Sequence, residues 1–275
     1  MQSWIALRRY RGEPRLTVYL ATEAGRVFPP GSVPAATLDR SRFESAEDAV
    51  RTAAGYSLAA HPFVQRLARE RDASGPLWLL VTNTYEGTSR HFVRWLAMVT
   101  ARVEDDRMRS LLARQLDQEL GEGDIARAHG VLMQDFLRAI EPLRPAPFEE
   151  SMLASGRRLG ERLAKHYLSD DPLEGVASLM AGEICAEQLI GAVGRLLRAQ
   201  RRDFDPKMME WLTQHDELEG NHAEESYDLA RLVPRDPAEV ESVRRGVMGV
   251  HGALWASLDE LYVACFGQGM DGGTP

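Results

Sequence analysis

The chain has 275 residues, 44% hydrophobic and 27% charged, with a net charge of −8. That is enough to bury a sizeable core in one domain, or one domain with an appendage, and it offers no basic face to nucleic acid. No apolar run approaches the ~20 residues of a membrane span, and the start MQSWIALRRYRGEP lacks the layout of a signal peptide. Two cysteines, Cys185 and Cys265, make no disulfide framework, so a reducing cytoplasm is the expected compartment.

Residues 1–42 differ from the rest. WIALRRY and RLTVYLATEAGRVF carry β-branched and aromatic residues with partial alternation about an EAGR turn, which predicts a small β-rich N-terminal arm. FPPGSVPAA then breaks all regularity. From Ser45 the pattern is helical and defines a domain over 43–268. Ser45 and Asp48 suggest a capping box that opens a helix toward residue 56. His61-Pro62 and ASGPL interrupt the chain, and helices follow from about 77 to 103 and from about 106 to 120. In GEGD the glycines end one helix and Asp124 caps the next, which reaches about Ile140. After the loop EPLRPAP, helices are expected at about 149–169, 172–200, 206–233 and 237–266, and then a disordered tail, 269–275. The fold class is all-α: a bundle of about seven helices with the β-rich arm attached.

The stretch HDELEGNH places His215, Glu219 and His222 at offsets of four and seven, within roughly 60° of arc on a helix. These are metal-ligand residue types. The plain alternative is a solvated acidic face. Against it, Met208, Trp211, His215, Glu219 and His222 are spaced 3, 4, 4, 3, which continues a buried seam. In RQLDQELGEGDIARAH, Glu119 ends one helix and His129 lies in the second turn of the next, and the break between them could bring both to one pocket. Each alone reads more readily as structural. In the apolar helix SLMAGEICAEQLIGAV, Glu183 stands among Ala181, Gly182, Ile184 and Cys185, where an uncompensated carboxylate is costly. Glu187 reads as facing outward. Cys185 reads as packing, not as a nucleophile. Oxygen and imidazole ligands suit iron or manganese, and the lack of thiolate clusters argues against structural zinc or iron–sulfur. The two Glu-x-x-His motifs of ferritin-like proteins are not both present, since EGNH is the single match.

Taken together, RSLLARQLDQELGEGDIARAH, the Glu183 helix and H-x3-E-x2-H resemble the haem-oxygenase-like di-iron oxidases and oxygenases, over roughly residues 78–233. The resemblance implies a haem-oxygenase-like helical domain. It implies two iron ions held by Glu119, His129, Glu183, His215, Glu219 and His222, with Glu219 standing where that family usually has Asp. It further implies that Fe(II) reacts with O2 to oxidise a small molecule, an amino acid or a fatty acid in many members, by desaturation, ring formation, oxidative cleavage or N-oxygenation. N-oxygenating members tend to carry an extra carboxylate on the preceding core helix. Here that helix reads RHFVRWLAM, and Glu86 lies two turns earlier. Oxidation of C–H bonds in a small aliphatic metabolite, a free amino acid in a biosynthetic pathway, is therefore the expected reaction. Such a substrate would need a cation for its carboxylate, for which Arg90, Arg94, Arg127 and Arg195 are candidates. His91 reads as supporting or exposed, and His166 as exposed. A homodimer stays open, as do four other readings: an N-oxygenase, a metal-free oxidase or hydrolase on the same scaffold, a non-catalytic helical binding protein, and a haem-degrading enzyme, which would not account for the His215 stripe.

Overall fold

Helix formation begins where the residue pattern changes, at Ser45. The structure is a computed structural model. It describes residues 43–199 and 209–267, without the side chains of 214–223. The expected β-rich arm and the tail lie outside the described residues, among which there is no strand. The Ser45 side chain accepts the Asp48 N–H and opens α1 (Ala46–Gly55). The return bond of the capping box is displaced by one residue, from Glu44 N–H to Asp48. His61-Pro62 does more than interrupt. Pro62 starts a short helix, α2 (Pro62–Leu67), whose first turn is capped by the His61 ring.

The expected helix over 77–103 begins earlier and is not uniform. It runs as α3 (Ser74–Thr84), a π-helical turn (Tyr85–Ser89) and α4 (Arg90–Arg102). Next come α5 (Asp106–Glu119), α6 (His129–Ile140), α7 (Ala154–Tyr167), α8 (Pro172–Ala199), α9 (Glu210–Leu232) and α10 (Pro237–Phe266). The described residues thus form ten α-helical segments: the eight ranges expected, of which the π-turn divides one, and the added α2.

The core is built around α8. By length and hydropathy this helix qualifies to cross a membrane, which corrects the expectation that no stretch does. It is mostly buried inside the protein, however, packed against α9 and α10 on its main faces and against α1 and α7. Each of its enclosed leucines, such as Leu179 and Leu197, stabilises the fold by roughly 1.5–3 kcal/mol. The α8–α10 crossing is close because Gly246 carries no side chain. A Cβ there would lie 2.3 Å from Glu174 O and 2.8 Å from Ala177 Cβ.

A buried polar cluster ties α1 and α2 to α10. His61 Nδ1 accepts the Phe63 N–H, so Nε2 carries the proton and donates to Asp259 at 3.1 Å. His251 Nε2 donates to the carbonyl of Tyr56, and Trp255 packs against both imidazoles, with ring centroids at 4.6 and 5.7 Å. Burial lowers the pKa of His251 to about 4 and pulls that of His61 below its ordinary value, while it raises that of Asp259.

Gly246→Ala should cost about 1–3 kcal/mol through overpacking, whereas Gly252→Ala, with nothing within 4 Å of its new Cβ, should be neutral or stabilising. Thermal denaturation of both variants decides this. Because the folded His251 refuses a proton that the unfolded chain accepts, its contribution is full above about pH 6.5 and is lost as the pH falls toward about 4. Asp259 acts in the opposite sense. The His251 loss amounts to about 3 kcal/mol at most. Urea titrations between pH 7 and 4.5 should show a shallower fall for His251→Gln than for the parent protein, and identical slopes would refute the account.

Candidate functional site

Helix α5 carries its buried side chains, Met108, Leu112, Gln115 and Glu119, in one helical stripe. The helix ends in a Schellman motif. Gly121 N–H bonds to Gln118 O, Glu122 N–H bonds to Asp117 O, and Gly121, Glu122 and Gly123 all take positive φ values of 90°, 53° and 88°. These three left-handed residues turn the chain back on itself. Asp124 caps a single 3-10 turn, Ile125–Arg127, instead of the main helix. His129 is consequently the first residue of α6 and does not lie in its second turn. The reversal sets His129 Nδ1 2.9 Å from Glu119 Oε1, with both side chains nearly buried.

Glu183 lies in the middle of α8, 7% exposed. Its Oε1 accepts a hydrogen bond from the side-chain amide of Gln115. Gln115 was not singled out in the sequence. The signal was present, because Gln115 precedes Glu119 by four residues on the buried stripe of α5.

Glu119, His129 and Glu183 all face one cavity of about 130 Å³. Its wall is otherwise mainly apolar, with Phe92, Met133, Phe136, Leu189 and Val193 among its members, and Trp211 of α9 lies on it stacked against Phe136 at 5.1 Å. The π-turn adds Tyr85, Thr88 and Ser89 to the rim. Thr88 donates to Thr84 O, and Gln134 donates to the Tyr85 hydroxyl. A π-turn shifts the helical register by one residue, and three polar side chains of this segment lie on the same wall.

The remaining candidates fall away from this wall. Glu187 is exposed; burial and then the Glu224 charge raise its pKa. Glu86 pairs with Arg90 at 2.6 Å. Arg127 lies 3.6 Å from Glu122, and Arg94 and Arg195 are exposed. None of the four candidate arginines lines the cavity. His166 is not simply exposed: it is half-buried, with Nδ1 3.1 Å from Glu174. His91 is half-buried against Trp95, and burial lowers its pKa. Cys185 is a buried packing residue whose pKa is pushed up to about 12 by burial, although it also reaches the cavity wall. The side chains of His215, Glu219 and His222 lie outside the described residues, although their backbone belongs to α9. Among the described residues no three His, Cys, Asp or Glu side chains converge on one point. Glu119 and His129 form a pair, and Glu183 is a separate carboxylate on the same cavity. Two carboxylates and an imidazole on an apolar wall are the donor types that suit an iron ion, and a cation there would offset the cost of burying them.

A sequence profile of a family described as iron-containing redox enzyme matches residues 83–251, more than half of the chain. No curated protein matches it. Two solved structures resemble the fold. A CADD-like protein of unknown function from Nostoc punctiforme PCC 73102 superposes with a TM-score of 0.62 at 13% identity, over 78% of this chain and 96% of its own. A domain of unknown function with a heme oxygenase-like fold from Shewanella denitrificans OS217 gives a TM-score of 0.51 at 18% identity, over 86% of this chain and 99% of its own. These likenesses agree with the haem-oxygenase-like helical fold expected from the sequence.

The chain reversal predicts a difference between two glycines of similar φ. A Cβ on Gly121 would lie 2.2 Å from Asp124 O, while one on Gly123 would meet nothing within 4 Å. Gly121→Ala should therefore cost about 2–4 kcal/mol and Gly123→Ala only about 1 kcal/mol. Equal melting temperatures for the two variants would show that the reversal is not held by that close approach.

Proposed function

We propose a function from one premise: this chain belongs to the family of iron-containing redox enzymes. On our reading, the cavity holds a pair of iron ions and uses O2 to oxidise C–H bonds of a small, weakly charged aliphatic substrate. The observation that carries the reading is the meeting of Glu119, His129 and Glu183, from three helices, on one otherwise mainly apolar cavity.

Glu119, His129 and Glu183 would hold iron together with His215, Glu219 and His222. The last three follow Trp211 in α9 by 4, 8 and 11 residues, which in a continuous helix is the stripe of a side chain already on the cavity wall. When bound, iron supplies the electron-transfer and O2 chemistry that no side chain can. The protein's own residues do the rest. Gln115 fixes the orientation of Glu183 through its amide. The reversal at 121–123 fixes Glu119 against His129. Phe136, Met133 and Trp211 keep water from the cavity and give an aliphatic chain its contact surface.

The lining also narrows the substrate. A free amino acid needs a cation opposite its carboxylate, and no Lys or Arg is on the wall among the described residues. That favours a largely apolar substrate over the free amino acid expected from the sequence. N-oxygenation is disfavoured on similar ground, since Glu86 is held by Arg90 and is not part of the wall.

Protein produced in iron-rich medium should contain bound iron and consume O2. His215→Ala and His222→Ala should each lose most of that iron and all turnover while the helical circular dichroism persists. Glu187→Ala should load like the parent protein. Full iron retention in both histidine variants overturns the ligand set. An aerobic panel of short aliphatic acids, alcohols and amino acids, read by mass spectrometry, tests the substrate. Oxidation confined to charged amino acids contradicts the apolar reading.

A further inference from the structure

Three aromatic rings lead from the cavity to the protein surface. Tyr167, the last residue of α7, is 3% exposed and forms part of the cavity wall beside Gly182 and Glu183. Its ring stacks on Trp95 of α4, with centroids 4.7 Å apart and planes 15° from parallel. Trp95 stacks in turn on His91, one helical turn earlier, at 5.3 Å and 25°. Trp95 is buried, and His91 is partly open to solvent. Packing alone would explain one such stack, worth about 0.5–1.5 kcal/mol. It does not explain why the column starts on the wall of a redox cavity and ends at the surface, with an indole and a phenol, two of the most readily oxidised side chains, in direct ring contact along it.

We propose that Tyr167 and Trp95 form an electron path that protects the cavity when O2 reacts there in the absence of substrate. The inference rests on the iron reading above. One electron leaves the Trp95 indole, crosses the stacked Tyr167 ring and reduces iron that O2 has oxidised in the cavity. The indole is left as a radical cation. A small one-electron donor of the ascorbate or thiolate class, arriving at the His91 side, returns the electron. No bond forms or breaks: the external donor is oxidised by one electron and the iron is reduced by one.

The test uses the full chain loaded with Fe(II) and mixed with O2 without substrate. Bound iron, O2 uptake, freeze-quenched electron paramagnetic resonance and peptide mass spectrometry are read together. In the parent protein a tryptophan radical should appear and oxidation should accumulate on Trp95, and ascorbate should suppress that oxidation. Trp95→Phe should lose the radical, with oxidation shifted to the wall residues Tyr167 and Met133. Trp78→Phe, which removes an indole outside the column and off the wall, should behave as the parent. Should Trp95→Phe fail to fold, the oxidation map of the parent protein and its response to ascorbate decide without a variant. Bound iron and O2 uptake with Trp95 unmodified, or an unchanged radical in Trp95→Phe, overturns the relay and leaves the iron reading intact. Absence of bound iron overturns that reading first, and the relay with it.

Discussion

A carboxylate in the middle of the most deeply packed helix is the constraint around which the rest of this protein is arranged. Glu183 is enclosed in a stretch of α8 whose other buried residues include Leu179, Met180, Ala181, Ile184 and Cys185. Burying such a group against hydrocarbon alone would cost several kcal/mol. The fold meets the cost by giving α5 a buried polar edge: Gln115 donates to Glu183, and Glu119, one turn on, meets His129. Glu119, His129 and Glu183 therefore share one cavity whose wall is otherwise mainly apolar. That combination suits the cation and the apolar molecule proposed above.

The two devices that shape the site are backbone features. Three successive left-handed residues end α5 and return the chain in a few residues, so that a carboxylate and an imidazole ten positions apart come into contact. The π-turn in the helix over 74–102 widens one turn and brings Tyr85 and Thr88 to the rim. Both departures from regular helix position side chains on the cavity wall, Glu119 and His129 in one case and Tyr85 and Thr88 in the other.

A second polar cluster shows what a buried histidine does when it has only a structural task. His61 caps α2, donates to Asp259 and stacks on Trp255, and His251 holds the carbonyl that follows α1. Both imidazoles are kept neutral by burial. The His61–Asp259 and His251–Tyr56 contacts each join an N-terminal segment to α10, so the cluster fastens the ends of the bundle together. It is separate from the cavity, and the sequence motifs for metal binding did not include it.

The sequence by itself determined the all-α class, nearly all of the helices, the stop at GEGD and the burial of Glu183, because each follows from local signals: apolar periodicity, glycine past a helix end, a carboxylate amid apolar neighbours. It also favoured Glu183 over Glu187, one turn on, as the inward carboxylate, and left open whether Glu187 contributes. Tertiary structure alone decided what these residues meet. His129 opens its helix because the 3-10 turn consumes the positions in between. Gln115 becomes the partner of Glu183 through a contact 68 residues apart in the chain, which no local signal encodes. The candidate arginines miss the wall because helical phase on a packed bundle, not composition, selects which charges face inward. The site was legible as a set of residue types and illegible as a geometry, since distances between helices are set by how side chains interlock and no single segment encodes them.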